Sequence, residues 1–225
     1  EQKPPKGWKN WKHRPHKEID EWGVLWEEVG DGTMGWPVGG PLKCWDDLEE
    51  LAIPDGSDPQ RYSLARKLNK IVPKSWKYRM GLIDNFLFER THFLRGWDNY
   101  MRDLIKSPEK ISKLIEKISP YYEQMIRQLA DMGAQCVFTT DDWGTQEDVF
   151  ISPLMFDKIF KDPYKRLIRL THDLGMDFWL HSCGNVGKFL PKFQEVGIDV
   201  VEFDSPRMTG LDRSEEHTSE LQSPL

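Results

Sequence analysis

An imidazole and a thiol stand two residues apart at His181 and Cys183, within the run Phe178-Trp179-Leu180-His181-Ser182-Cys183-Gly184-Asn185. The run has the pattern of a short buried strand that ends in a polar loop. Side chains alternate across a strand, so Trp179, His181 and Cys183 share one face, and Phe178, Leu180 and Ser182 share the other. A nitrogen and a sulfur donor on one face, at a strand's C-terminal end, can reach one metal ion. Zinc accepts that pair, and a catalytic zinc takes three protein ligands and leaves one position open. Upstream, Asp141-Asp142-Trp143-Gly144 follows a second strand-like run, Cys136 to Thr140. Its two carboxylates point to opposite faces of the emerging chain, so one of them is expected in a pocket. There it would bind a cationic or hydroxyl group, hydrogen-bond a metal-ligating histidine, or exchange protons as acid or base. Trp143 is expected as a pocket aromatic against substrate. Glu202 and Asp204 share a face at the end of a third strand, and Asp204 is a candidate substrate contact. Arg95 is a candidate for holding a substrate carboxylate, weighed against a plain helix-surface position.

The elements that must position these residues are regular in the second half of the chain. Ser107-Pro108-Glu109 is a helix start, with Ser as N-cap and Pro in the first turn. Ser119-Pro120 repeats the signal and predicts a further helix running to about Met132, with Gly133 as its stop. Ser152-Pro153 and Asp162-Pro163 open two more. The second carries Tyr164, Leu167, Ile168, Thr171 and Leu174 on one stripe and ends at Gly175. A helix over 186–196 and a strand over 200–203 follow. The order β-α-β-α-β with short connections is the sign of a parallel sheet. Polar residues after successive parallel strands fit a (β/α)8 barrel or an open doubly wound sheet. No Gly-rich phosphate loop follows a strand, which argues against dinucleotide binding. Further upstream, Tyr78 to Ile83 is a strand and Phe86 to Ile105 a long helical region in which Gly96 is a possible kink. The first 62 residues are irregular, with a Gly/Pro-rich loop over 30–41 and a short helical turn at Asp46 to Leu51.

The chain has 225 residues, a net charge of −6 and a pI of about 5.6. No basic stripe suggests nucleic acid as a partner. No apolar run approaches the ~20 residues of a membrane span. Cys44, Cys136 and Cys183 make no disulfide framework, and a cytoplasmic location is the simplest expectation. Cys136 is expected in the core, and Cys44 and His172 without a functional role.

Taken together, Asp-Asp-Trp-Gly-Thr-Gln from Asp141, Ile-Ser-Pro-x-x-Phe, Pro-Tyr-Lys-Arg-Leu, His-Asp-Leu-Gly and Leu-His-Ser-Cys-Gly-Asn to Asn185 resemble the uroporphyrinogen decarboxylase superfamily. Phe88-Glu89-Arg90 and Phe93-Leu94-Arg95-Gly96 fit its cobamide-dependent methyltransferase branch. The resemblance spans roughly residues 46–206. It implies an α/β fold, a TIM-type (β/α)8 barrel with its active site on the C-terminal rim. It further implies zinc held by a His-x-Cys pair and a later Cys, with a thiol substrate bound as thiolate to exchange a methyl group with a cobamide. His181 and Cys183 match the first two ligands; the third is expected beyond Asp212. A corrinoid protein is an implied partner. The alternative is a metal-free decarboxylase acting on a tetrapyrrole in porphyrin biosynthesis, and a third reading is a non-catalytic corrinoid- or tetrapyrrole-binding barrel. The Arg-rich N-terminal segment of the decarboxylases is not found here.

Arg213 to Ser223 resembles the translation of a common short-read sequencing adapter. The expected organisation is therefore an N-terminal excursion over 1–70 that packs on the barrel, a partial barrel over 71–212, and a non-native tail over 213–225. A full barrel of this kind takes ~250 residues, so the barrel is expected to be incomplete.

Overall fold

The computed structural model describes residues 16–28, 35–72, 77–204 and 223–224. The opening segment forms a three-stranded antiparallel sheet, β1 (His16–Ile19), β2 (Leu25–Glu28) and β3 (Trp36–Gly39). The strand β3 lies where the sequence predicts a Gly/Pro loop. Pro37 is tolerated because β3 is an edge strand, where a missing N–H costs no ladder bond. Residues 30–34 of that predicted loop lie outside the described residues. The turn between β1 and β2 is tied by Asp20, whose Oδ1 accepts the N–H groups of Trp22 (2.9 Å) and Val24 (2.8 Å). Trp22 and Val24 are buried in the same core as the rest of the chain.

After a short 3-10 turn at Trp45–Leu48 and helix α1 (Ser63–Ile71) comes the main sheet. Its parallel strands are β4 (Met80–Ile83), β5 (Cys136–Thr140), β6 (Asp177–Ser182) and β7 (Val200–Phe203), in that spatial order. A two-residue strand, β8 (Ser223–Pro224), pairs antiparallel with β7. The helices are α2 (Leu87–Arg95), α3 (Trp97–Lys106), α4 (Pro108–Asp131), α5 (Pro153–Ile159), α6 (Lys161–Asp173) and α7 (Leu190–Val196). This is an α/β fold, a (β/α)8 barrel that the described strands do not close. None of the described helices is long and apolar enough to cross a membrane.

Two helix boundaries differ from the sequence pattern. Gly96 does not merely kink a long helix: its φ of 80° ends α2 and starts α3. The Ser119-Pro120 signal does not start a helix. Pro120 lies inside α4, although proline removes one helical hydrogen bond and crowds the preceding turn. Ile111, Leu114, Ile115, Ile118, Tyr122, Ile126 and Leu129 continue one buried stripe straight through it. That burial outweighs the local cost.

The sheet has two unlike faces. Ile83, Val137, Thr139, Phe178, Leu180, Ser182, Val201 and Phe203 are buried against the helices. On the opposite face Leu82, Phe138, Thr140, Trp179, His181, Val200 and Glu202 are only partly buried or exposed. The strand period of two makes this division. The ladder register places Thr140 beside His181 and His181 beside Glu202, in one row at the C-terminal ends of β5, β6 and β7.

Candidate metal centre

Alternation continues past the strand ends and sorts the residues that follow. Asp142, Cys183 and Asp204 keep the face of Thr140, His181 and Glu202, whereas Asp141 falls on the helix side. On the partly open face, donor atoms of Asp142, His181 and Cys183 all lie within 4.8 Å of one another. His181 Nε2 is 3.2 Å from Cys183 Sγ and 4.0 Å from Asp142 Oδ1. Asp204 Oδ1 lies 3.8 Å from the same nitrogen, and Glu202 Oε2 lies 3.1 Å from His181 Nδ1. Burial raises the Cys183 thiol well above its ordinary range, and the carboxylates of Asp204 and Asp142 add to the effect. Without a cation the sulfur therefore keeps its proton.

Two glycines bring the loops after β5 and β6 together. A side chain at Gly144 would strike the backbone of Asn185, 2.9 Å from its nitrogen. One at Gly184, where φ is 82°, would meet the Gly144 backbone at 2.5 Å. The loops thus touch backbone to backbone. Asn185 N–H donates to the Thr145 carbonyl (2.7 Å), and Cys183 N–H donates to Asp142 Oδ1 (2.8 Å). This contact turns Asp142 from a nearby carboxylate into a third donor. The sequence expectation placed a third ligand beyond Asp212, outside the described residues; among the described residues Asp142 is the carboxylate that lies within reach of both His181 and Cys183.

Asp141 has a different setting. It is fully buried. Its Oδ2 accepts the Phe88 N–H (3.0 Å), its Oδ1 accepts the Glu89 N–H (2.7 Å), and the Tyr164 hydroxyl donates to Oδ2. It caps the first turn of α2 from outside the helix, where a negative charge is favoured. Burial pushes its pKa upward, against these hydrogen bonds. Glu89 is a residue that sequence reasoning passed over as part of a motif. Its Oε2 accepts from Thr140 Oγ1 (3.1 Å), which brings the carboxyl to the row that holds His181. Burial, then the charges of Asp141 and Asp142, hold it well above the ordinary carboxylate range. Asp141 accepts three hydrogen bonds and Glu89 one, so Glu89 is the carboxyl with less to hold its charge.

Two predicted substrate contacts are structural instead. Trp143 is fully buried, with ring centroids 4.4 Å from Phe88 and 4.9 Å from Phe160, and its Nε1–H donates to the Tyr164 hydroxyl (3.2 Å). Its large apolar ring is worth more in the core than at a polar rim. Arg95 is neither a substrate contact nor a helix-surface residue. Its Nε donates to Asp103 Oδ2 (2.8 Å) and its terminal nitrogen to the carbonyls of Leu42 (3.0 Å) and Lys43 (2.7 Å). The guanidinium is buried and spent on joining the N-terminal segment to α2 and α3. Cys136 is buried at the start of β5, and Cys44 is an exposed free thiol.

A protein titled "methyltransferase from Methanosarcina mazei" superposes with a TM-score of 0.63 at 17% identity, over 80% of this chain and 52% of that one. The likeness shows a shared fold. "Uroporphyrinogen decarboxylase, chloroplastic" of Nicotiana tabacum is 33% identical over 101 residues, which is 43% of this chain and 24% of the tobacco protein. The chain thus spans about a quarter of the length of that curated relative and about half of the solved structure. The family described as Uroporphyrinogen decarboxylase (URO-D) matches residues 90–217, which include β5, β6, β7 and every residue of the rim cluster. With more than half of its length matched in this way, the chain belongs to the uroporphyrinogen decarboxylase (URO-D) family.

Proposed function

We propose that the rim cluster holds a zinc-class metal ion and that the protein transfers a methyl group between a cobamide and a thiol. One observation carries the reading: a nitrogen, a sulfur and a carboxylate oxygen converge within 4.8 Å at the ends of adjacent parallel strands. That donor set suits zinc, and three ligands are the number a catalytic zinc site takes. His181, Cys183 and Asp142 would hold the ion, which supplies the Lewis acidity that stabilises a substrate thiolate, the nucleophilic form of sulfur. Asp204 Oδ1, exposed beside the cluster, takes the proton that the incoming thiol gives up. Glu89, kept neutral, spares the site a further negative charge. The cobamide is presented by a partner corrinoid protein.

The resemblance to the tobacco enzyme favours a second reading, a metal-free decarboxylase acting on a tetrapyrrole in porphyrin biosynthesis. Metal content separates the two. In the first reading, elemental analysis of the purified chain finds about one metal ion per chain, and His181→Ala and Cys183→Ser abolish it. Absence of metal from the wild-type chain, together with failure to take up added zinc, would sink the methyltransferase reading and move the decarboxylase ahead.

A further inference from the structure

We infer that Glu202 is a positioning residue that fixes the tautomer of His181 and aims its Nε2 lone pair into the cluster. The ladder places Glu202 directly beside His181 on the neighbouring parallel strand, on the same sheet face. Its Oε2 is 3.1 Å from Nδ1. A carboxylate has no proton to give, so Nδ1 carries the hydrogen and donates it. In the neutral imidazole the other nitrogen is then an acceptor. It faces Cys183 Sγ at 3.2 Å, with Asp142 Oδ1 and Asp204 Oδ1 at 4.0 and 3.8 Å. The imidazole thus lies between a carboxylate on one side and a thiol on the other, and the carboxylate contact is set by the register of β6 with β7.

Without the Glu202 acceptor, an imidazole populates both tautomers, and the fraction with its hydrogen on Nε2 presents no lone pair to the cluster. Carboxylates that orient a ligand histidine in this way contribute about 10–100-fold to metal affinity. A surface ion pair with no such role would leave the tautomer unchanged when removed.

The test separates this inference from the metal reading on which its consequence for affinity rests. Nitrogen-15 spectra of the metal-free chain report which imidazole nitrogen of His181 carries the hydrogen, and cobalt(II) titration reports affinity independently. The expected result is hydrogen on Nδ1 in the wild type. In Glu202→Leu, hydrogen appears on Nε2 and cobalt binding weakens by about 10–100-fold. In Glu202→Gln, whose amide oxygen still accepts, both properties stay near wild type. Hydrogen on Nε2 in the wild type overturns the inference without recourse to any variant. So does a folded Glu202→Leu chain with unchanged tautomer and unchanged cobalt affinity. If the tautomer shifts as expected but the wild type binds no cobalt, Glu202 keeps its positioning role and the metal reading fails.

Discussion

Asp141 and Asp142 are neighbours in the chain and lie in opposite environments. Asp141 is buried behind the sheet, where two backbone N–H groups and the Tyr164 hydroxyl use its acceptor capacity. Asp142 is half-buried on the front face, where Oδ1 accepts one backbone N–H from Cys183 and the carboxylate faces a histidine and a thiol. The same side chain is thus a structural tie in one place and a candidate ligand in the next. The difference comes from which side of the strand each leaves, and from how many donors already saturate it. The oxygens of Asp141 are engaged by α2 and by Tyr164 of α6, on the side of the sheet away from His181 and Cys183.

The largest effect should come from breaking this contrast by deletion. Asp141→Ala leaves two N–H groups and a tyrosine hydroxyl buried without their acceptor and is expected to cost about 3 kcal/mol or more. Asp142→Ala removes one partly exposed hydrogen bond and should cost about 1 kcal/mol or less, while abolishing metal uptake. Urea denaturation of both variants checks the pair, and equal stability losses would erase the distinction drawn between them.

A second effect concerns Glu89, which reaches the front row yet is shielded enough to stay protonated. Its folded pKa lies above its unfolded value, so the folded chain keeps a proton that the unfolded chain releases. Its contribution to stability is therefore full below the unfolded pKa and is lost as pH rises toward the folded one. Each pH unit within that window costs up to about 1.4 kcal/mol. Glu89→Gln, a neutral isostere, should flatten the decline of Tm between pH 5 and 8 and be more stable than wild type at pH 8. A variant as pH-dependent as the parent would place the proton elsewhere.

A third effect, on stability alone, is expected from Trp143→Phe. It loses the indole hydrogen bond to Tyr164 and some ring volume, at about 1–3 kcal/mol, and leaves metal uptake intact. Reduced metal uptake at undiminished stability would return Trp143 to the site.

The parallel strands, the facing pair His181 and Cys183, and the division of Asp141 and Asp142 between opposite faces were legible in the sequence. These are local properties. They follow from strand alternation and from helix caps such as Ser152, whose Oγ accepts the Met155 N–H. The sequence also carried the family motifs. What brings Asp142 beside His181 and Cys183, some forty positions later in the chain, is the packing of the two loops through the backbone contact of Gly144 with Gly184. The tertiary structure likewise decided that Arg95 is spent on Leu42, Lys43 and Asp103, that Trp143 belongs to the core, and that Pro120 sits within a continuous α4. Each of these depends on a partner far away in the chain. A residue's type states what bonds it is able to make, and the packing of distant segments selects which of them it makes.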